Sequence, residues 1–236
     1  WTADGLLQDR WGMDVYNETF RVITTANPWN SHPILTTFTF DGSADVRKLA
    51  ELTITLPRPE RLTSTRFDGN RAYAVTFEQR DPLITLDLTD PANPKQAGVL
   101  DVPGWSDHIE PRGDRLIALG HDQDPVTGHW GLQVSLFDVS DIKNPILLQR
   151  VPFDSGAGFI SGERDDFQKV FKVLDALGLI MVPFRSYDYN FSTPYGGWYK
   201  DGVQLIDFTR DTLVKRGFAE SKGLVTRALS LEDHVL

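Results

Sequence analysis

The sequence predicts an all-β chain built from a repeated four-stranded antiparallel unit, and three observations lead there. The first is the stretch 61–104, where four apolar segments are each bounded by turn residues. Segment 62–67 ends at Asp68-Gly69-Asn70, a turn that tolerates positive φ, and 72–77 follows with Tyr73, Val75 and Phe77 alternating against smaller neighbours. Segment 83–88 stops at a turn containing Pro91 and Pro94, which cannot donate to a ladder, and 96–102 closes the unit. The second observation is repetition. An apolar run, an Asp, an apolar residue and an Asp-containing turn occur at 84–90 and again at 134–141, with Asp87 and Asp138 about 50 positions apart. The third is that weaker copies stand at 35–41 and 204–210. A two-sheet sandwich also uses short strands, but it would not reproduce one four-strand grammar several times. The pattern is that of a β-propeller with about four readable blades, the start of a fifth, and a ring that is incomplete as given.

Taken in order, the blades fall at approximately 1–56, 57–103, 104–153 and 154–221, with a partial blade at 222–236, all in one propeller domain. The first has strands at 12–16, 19–25, 34–40 and 47–56. The third has an inner strand at 108–111, a strand at 115–120, a polar loop at 121–131, then strands at 132–139 and 146–153. The fourth carries insertions. There, Phe167, Val170, Phe171, Leu174 and Leu177 recur at helical spacing, whereas the repeat assigns 169–174 to an inner strand and 179–183 to the next. The repeat is the stronger guide, with room for a helical turn near 162–166. In the partial blade, 225–231 reads as an inner strand.

Three motifs carry a family resemblance: Thr76-Phe77-Glu78-Gln79-Arg80-Asp81-Pro82-Leu83, the Asp87 to Lys95 turn, and Ser135-Leu136-Phe137-Asp138-Val139-Ser140-Asp141. With the opening Val15-Tyr16-Asn17 and Arg21 to Thr25, the chain resembles the C-terminal β-propeller domain family of secreted prokaryotic proteins from about residue 10 onward. The resemblance implies an extracytoplasmic location (secreted, periplasmic or cell-surface) and no defined reaction.

A net charge of −9 without long Lys/Arg blocks argues against nucleic acid as a partner. No apolar run approaches the ~20 residues that span a bilayer. The absence of cysteine removes disulfides and thiolate chemistry. A start at Trp1 without a leader reads as that of a mature or excised domain, and the incomplete last blade reads as part of a longer chain. No metalloprotease, phosphate-loop or nucleophile-elbow motif is present, and no cofactor is expected.

Binding candidates come from two places. Inner strands line a propeller's channel, and there stand Asp14, Arg66, Asp107, His108, Lys169 and Arg227, which either bind a ligand or satisfy one another. The segment 185–200 in the fourth blade concentrates Tyr187, Tyr189, Phe191, Tyr195, Trp198 and Tyr199, suited to carbohydrate stacking, a protein interface or internal packing. A metal is not expected; the weak candidate is the loop with His121, Asp122, Asp124 and His129, otherwise a solvated turn. Asp87 and Asp138 repeat, so capping of the following turn explains them better than catalysis. The leading expectation is a non-enzymatic module that binds a protein or glycan. A polysaccharide hydrolase or lyase using Asp107 and Glu110 as acid and base, and a spacer domain of a larger surface protein, are the alternatives.

Overall fold

The computed structural model describes residues 2–27, 31–56, 58–77, 81–123, 128, 130–153, 157–159, 167–188, 198–231 and 234–235. The first sheet runs β1 (Met13–Tyr16), β2 (Thr19–Thr25), β3 (Pro33–Thr39), β4 (Lys48–Thr53) in chain order. The second runs β5 (Arg61–Asp68), β6 (Arg71–Phe77), β7 (Asp81–Asp87), β8 (Lys95–Val102). The third runs β9 (Trp105–Arg112), β10 (Arg115–Gln123), β11 (Trp130–Asp138), β12 (Ile146–Pro152). Each is an antiparallel four-strand blade, the architecture of a β-propeller.

The fourth sheet departs from this plan at its inner edge. β13 (Ala157–Phe159) and β14 (Lys172–Leu174) both pair antiparallel with β15 (Leu179–Asp188), which continues to β16 (Trp198–Phe208) and β17 (Leu213–Ser221). Phe159 lies opposite Arg185 and Lys172 opposite Met181, so the segment between them interrupts one inner strand. Within it, α1 (Phe167–Val170) forms a single helical turn, with Val170 and the following Phe171 buried. The conflict between helical spacing and repeat is therefore resolved in both directions. The strand begins at Lys172 instead of residue 169, and Lys169 lies in α1. The expected turn at 162–166 lies outside the described residues.

Other expectations need correction. The polar loop at 121–131 is shorter, because His121–Gln123 extend β10 and Trp130 opens β11. The inner strand expected at 225–231 is irregular up to Leu229; only β18 (Ser230–Leu231) forms, against β19 (His234–Val235). A strand needs a ladder partner for its backbone groups, and among the described residues only this short pair has one.

Turn chemistry explains why the units repeat. The turn that precedes the second strand of each of the four larger sheets (β15 in the fourth) holds left-handed residues: Asn17 and Glu18, Gly69, Gly113 and Gly178. The residue that follows the third strand, or in the fourth sheet the last residue of that strand, donates its N–H back to that turn. Phe40 donates to the Glu18 carbonyl, Leu88 to Asn70, Val139 to Asp114 and Phe208 to Gly178, at 2.6–2.9 Å. At the next turn, Asp87 accepts the N–H of Thr89 and Asp138 that of Ser140, at 3.0 and 2.8 Å, while Asp90 and Asp141 do the same for Ala92 and Lys143. The repeated aspartates are turn-formers.

The chain divides into two compact units, residues Trp1–Leu116 with Phe137–Ile146, and Ile117–Leu136 with Leu147–Leu236. In the first, Ile23 and Leu35 of the first sheet pack with Leu62, Ala74, Ile84 and Leu86 of the second. The Thr85 hydroxyl donates to the Ile142 carbonyl, and at Gly98 an added Cβ would lie 2.5 Å from that oxygen, so only glycine admits the approach. In the second, Leu132, Val134 and Leu136 pack with Ile180, Val182, Phe184 and Ile206. Full burial of each such side chain contributes about 1.5–3 kcal/mol.

Candidate functional site

The period-2 alternation of β9 puts His108, Glu110 and Arg112 on one face and Asp107 on the other. On the first face they meet Arg66 of β5. The Arg66 Nε donates to the Ile109 carbonyl at 2.9 Å and its Nη2 to Glu110 Oε1 at 2.8 Å. His108 Nε2 lies 2.7 Å from the same carboxylate oxygen, and Arg112 donates to Oε2 at 3.2 Å. Trp11, from the 3-10 turn Arg10–Gly12, completes the cluster. Asp9 caps that turn by accepting the Trp11 N–H. The Arg66 guanidinium lies over the indole at 3.7 Å, and the His108 ring meets its edge at 5.9 Å.

Burial pushes the Glu110 carboxyl up, but the His108 hydrogen bond and the Arg66 and Arg112 charges outweigh it and hold the group at about 2. Burial lowers the Arg66 guanidinium from its ordinary value, partly offset by Glu110. Asp107, on the far face, accepts from the Trp105 indole at 3.1 Å. Asp107 and Glu110 therefore do not converge as an acid–base pair.

The second candidate region, a long loop by its sequence, is strand at both ends, while residues 189–197 between them lie outside the described residues. β15 and β16 stay in register out to Asp188 opposite Trp198, so 185–188 and 198–200 are strand. The register places Tyr187 opposite Tyr199 and Arg185 opposite Asp201. Arg185 grips Asp201 with a two-bond fork, Nε to Oδ1 at 2.7 Å and Nη2 to Oδ2 at 2.9 Å. Its guanidinium sits 4.6 Å over the Tyr199 ring, and Tyr199 is 61% exposed. The Asp201 hydrogen bond raises the Arg185 pKa.

A family model described as "Beta propeller domain" matches residues 1–228. The chain belongs to that family. A relative from Archaeoglobus fulgidus, an uncharacterised protein, is 30% identical over 236 residues, 99% of this chain and 32% of the relative. An uncharacterised protein of Methanocaldococcus jannaschii is 38% identical over 144 residues, 61% of this chain and 22% of the relative. The chain thus spans less than a third of the curated relatives it matches. Among solved structures, one named "Glycoside hydrolase" aligns with a TM-score of 0.34 at 10% identity, covering 92% of this chain and 77% of that one. The tricorn protease aligns at 0.20 and 10%, covering 86% and 25%. Likenesses this weak carry no argument about activity.

The remaining candidates of this propeller domain separate cleanly. Arg227 is exposed on the irregular segment before β18 and lies on no inner strand, although its neighbours Val225 and Ala228 pack with Leu174 and Leu179. Tyr195 lies outside the described residues, as do Tyr189, Phe191 and the side chains of Lys169, Tyr187 and Trp198. In the weak metal loop, Asp122 pairs with Arg150 at 2.7 Å and accepts from the Gln123 N–H, while Asp124 and His129 lie outside the described residues. Among the described residues no three His, Asp or Glu side chains group as metal ligands.

Sequence reasoning missed Trp11 and Arg112, whose only local signal was proximity to strands already assigned. It also passed over Arg21. That guanidinium is 2% exposed, paired with Asp14, bonded to the Gly69 carbonyl and flanked by Tyr16 and Phe67 rings. A charge inside a strand of otherwise buried positions was its signal.

Proposed function

We propose that this propeller domain is a non-catalytic recognition module of a longer extracytoplasmic chain, binding a glycan or polypeptide through the β15–β16 arm. The observation that carries the reading is Tyr199, an exposed ring whose neighbouring guanidinium is already locked by Asp201. A preorganised aromatic surface binds with little further loss of conformational freedom. The extracytoplasmic placement draws on the motif resemblance, and the longer chain on the length of the relatives. The acid–base alternative has weaker support, because a carboxyl at about 2 is not a proton donor near neutrality and Asp107 faces away from it.

A glycan and peptide binding array on the wild-type domain, repeated with Tyr199→Ala and with Trp198→Ala/Tyr199→Ala, tests this. Binding lost in the variants with unchanged circular dichroism supports the arm. Binding that survives both variants refutes it, and a folded wild type that binds nothing favours the spacer role.

A further inference from the structure

The stacked Trp11 and Arg66 present hydrogen-bond donors that find no acceptor among the described residues. The Trp11 Nε1 is buried and has no hydrogen-bond partner among the described residues. Arg66 directs Nε and Nη2 to Ile109, His108 and Glu110, and its Nη1 makes no hydrogen bond among the described residues. The groups acting on Arg66 are the guanidiniums of Arg10 and Arg112 and the carboxylates of Glu110 and Asp9. A buried indole N–H without an acceptor is unfavourable, and a guanidinium with two open N–H bonds suits a planar anion.

We propose that Trp11 and Arg66 form a carboxylate-binding subsite, in which one ligand oxygen accepts from Trp11 Nε1 and the other from Arg66 Nη1. Glu110 and Ile109 hold the guanidinium in place through its other nitrogens, and the 3.7 Å stack holds the indole beside it. The carboxylate belongs either to a uronic-acid sugar or to a free small acid. The subsite lies wholly in the first unit and Tyr199 in the second, so failure of either reading is separately visible.

The test follows the Trp11 indole N–H resonance, assigned by its loss in Trp11→Phe, while the domain is titrated with sodium acetate, sodium glucuronate or, as control, sodium chloride. The expected result is a saturable downfield shift with either carboxylate and none with chloride. Trp11→Phe keeps an aromatic ring but removes the donor together with its resonance, so affinity in the variants is read from the backbone amide shifts of Ile109 and Glu110, and it is weakened by about tenfold. Arg66→Lys, which keeps the charge but loses the fork, weakens it at least as much; because Arg66 is buried, the Phe variant is the decisive one. Tighter binding of glucuronate than acetate assigns the sugar source, and equal binding the free acid. No saturable shift by ~50 mM carboxylate, an equal shift with chloride, or unchanged affinity in Trp11→Phe overturns the subsite.

Discussion

Arg66 and Arg185 each meet a carboxylate and an aromatic ring, yet the two sites are built for different ends. Arg66 is buried between two strands from different sheets, and its partner Glu110 also serves His108 and Arg112. Arg185 reaches across a single hairpin to Asp201, with a third of its side chain and most of Tyr199 in water. The first arrangement replaces lost hydration with a network. The second shapes a surface. Burial therefore decides which pair matters more for stability.

The largest effect bearing on this contrast is expected from Glu110→Gln. It leaves the buried Arg66 without its countercharge and costs about 3 kcal/mol in a denaturant titration; a loss below about 1 kcal/mol would make the network no more than a surface pair. The same carboxyl sets a pH dependence. Its folded pKa, about 2, lies below the ordinary 4.5, so its contribution is complete above the higher value and lost as pH falls toward the lower. Unfolding free energy measured across that window should fall less steeply in Glu110→Gln than in wild type, and parallel slopes would contradict the assignment.

Asp138 and Asp87 carry the same contrast to the turns. Each caps the equivalent turn of its own sheet, but Asp138 also pairs with the buried Arg115 at 2.8 Å. Asp138→Ala should cost about 2 kcal/mol and Asp87→Ala about 1. Equal losses would mean that the guanidinium adds nothing. The smallest effect is expected on the arm, where Tyr199→Ala should leave the unfolding midpoint in place. A clear drop would show Tyr199 to be a packing residue.

Some of this was legible in advance. The strands of the second sheet are bounded by turn residues whose chemistry is local, so Gly69, Pro91 and the aspartates mark them unaided. The capping role of Asp87 and Asp138 followed from repetition for the same reason. The arm was harder. A run of Tyr, Gly and Asn reads as loop, but the ladder from Arg185 to Asp188 continues because Trp198 to Asp201 lie opposite to receive it. The segment 225–229 failed in the opposite sense, being strand-like in composition yet irregular in the fold.

The repeated four-strand unit, the turns that punctuate it and the buried face of each strand are written in the residue order, because alternation and turn geometry depend on residues a few positions apart. It took the folded chain to show that Trp11, Arg66, His108 and Glu110 meet, and that Asp107 does not join them. Arg66 and His108 stand 42 positions apart on the inner strands of successive sheets, and Trp11 comes from a turn outside any strand. Such meetings depend on how β5, β9 and the Arg10–Gly12 turn come together, which no local pattern encodes.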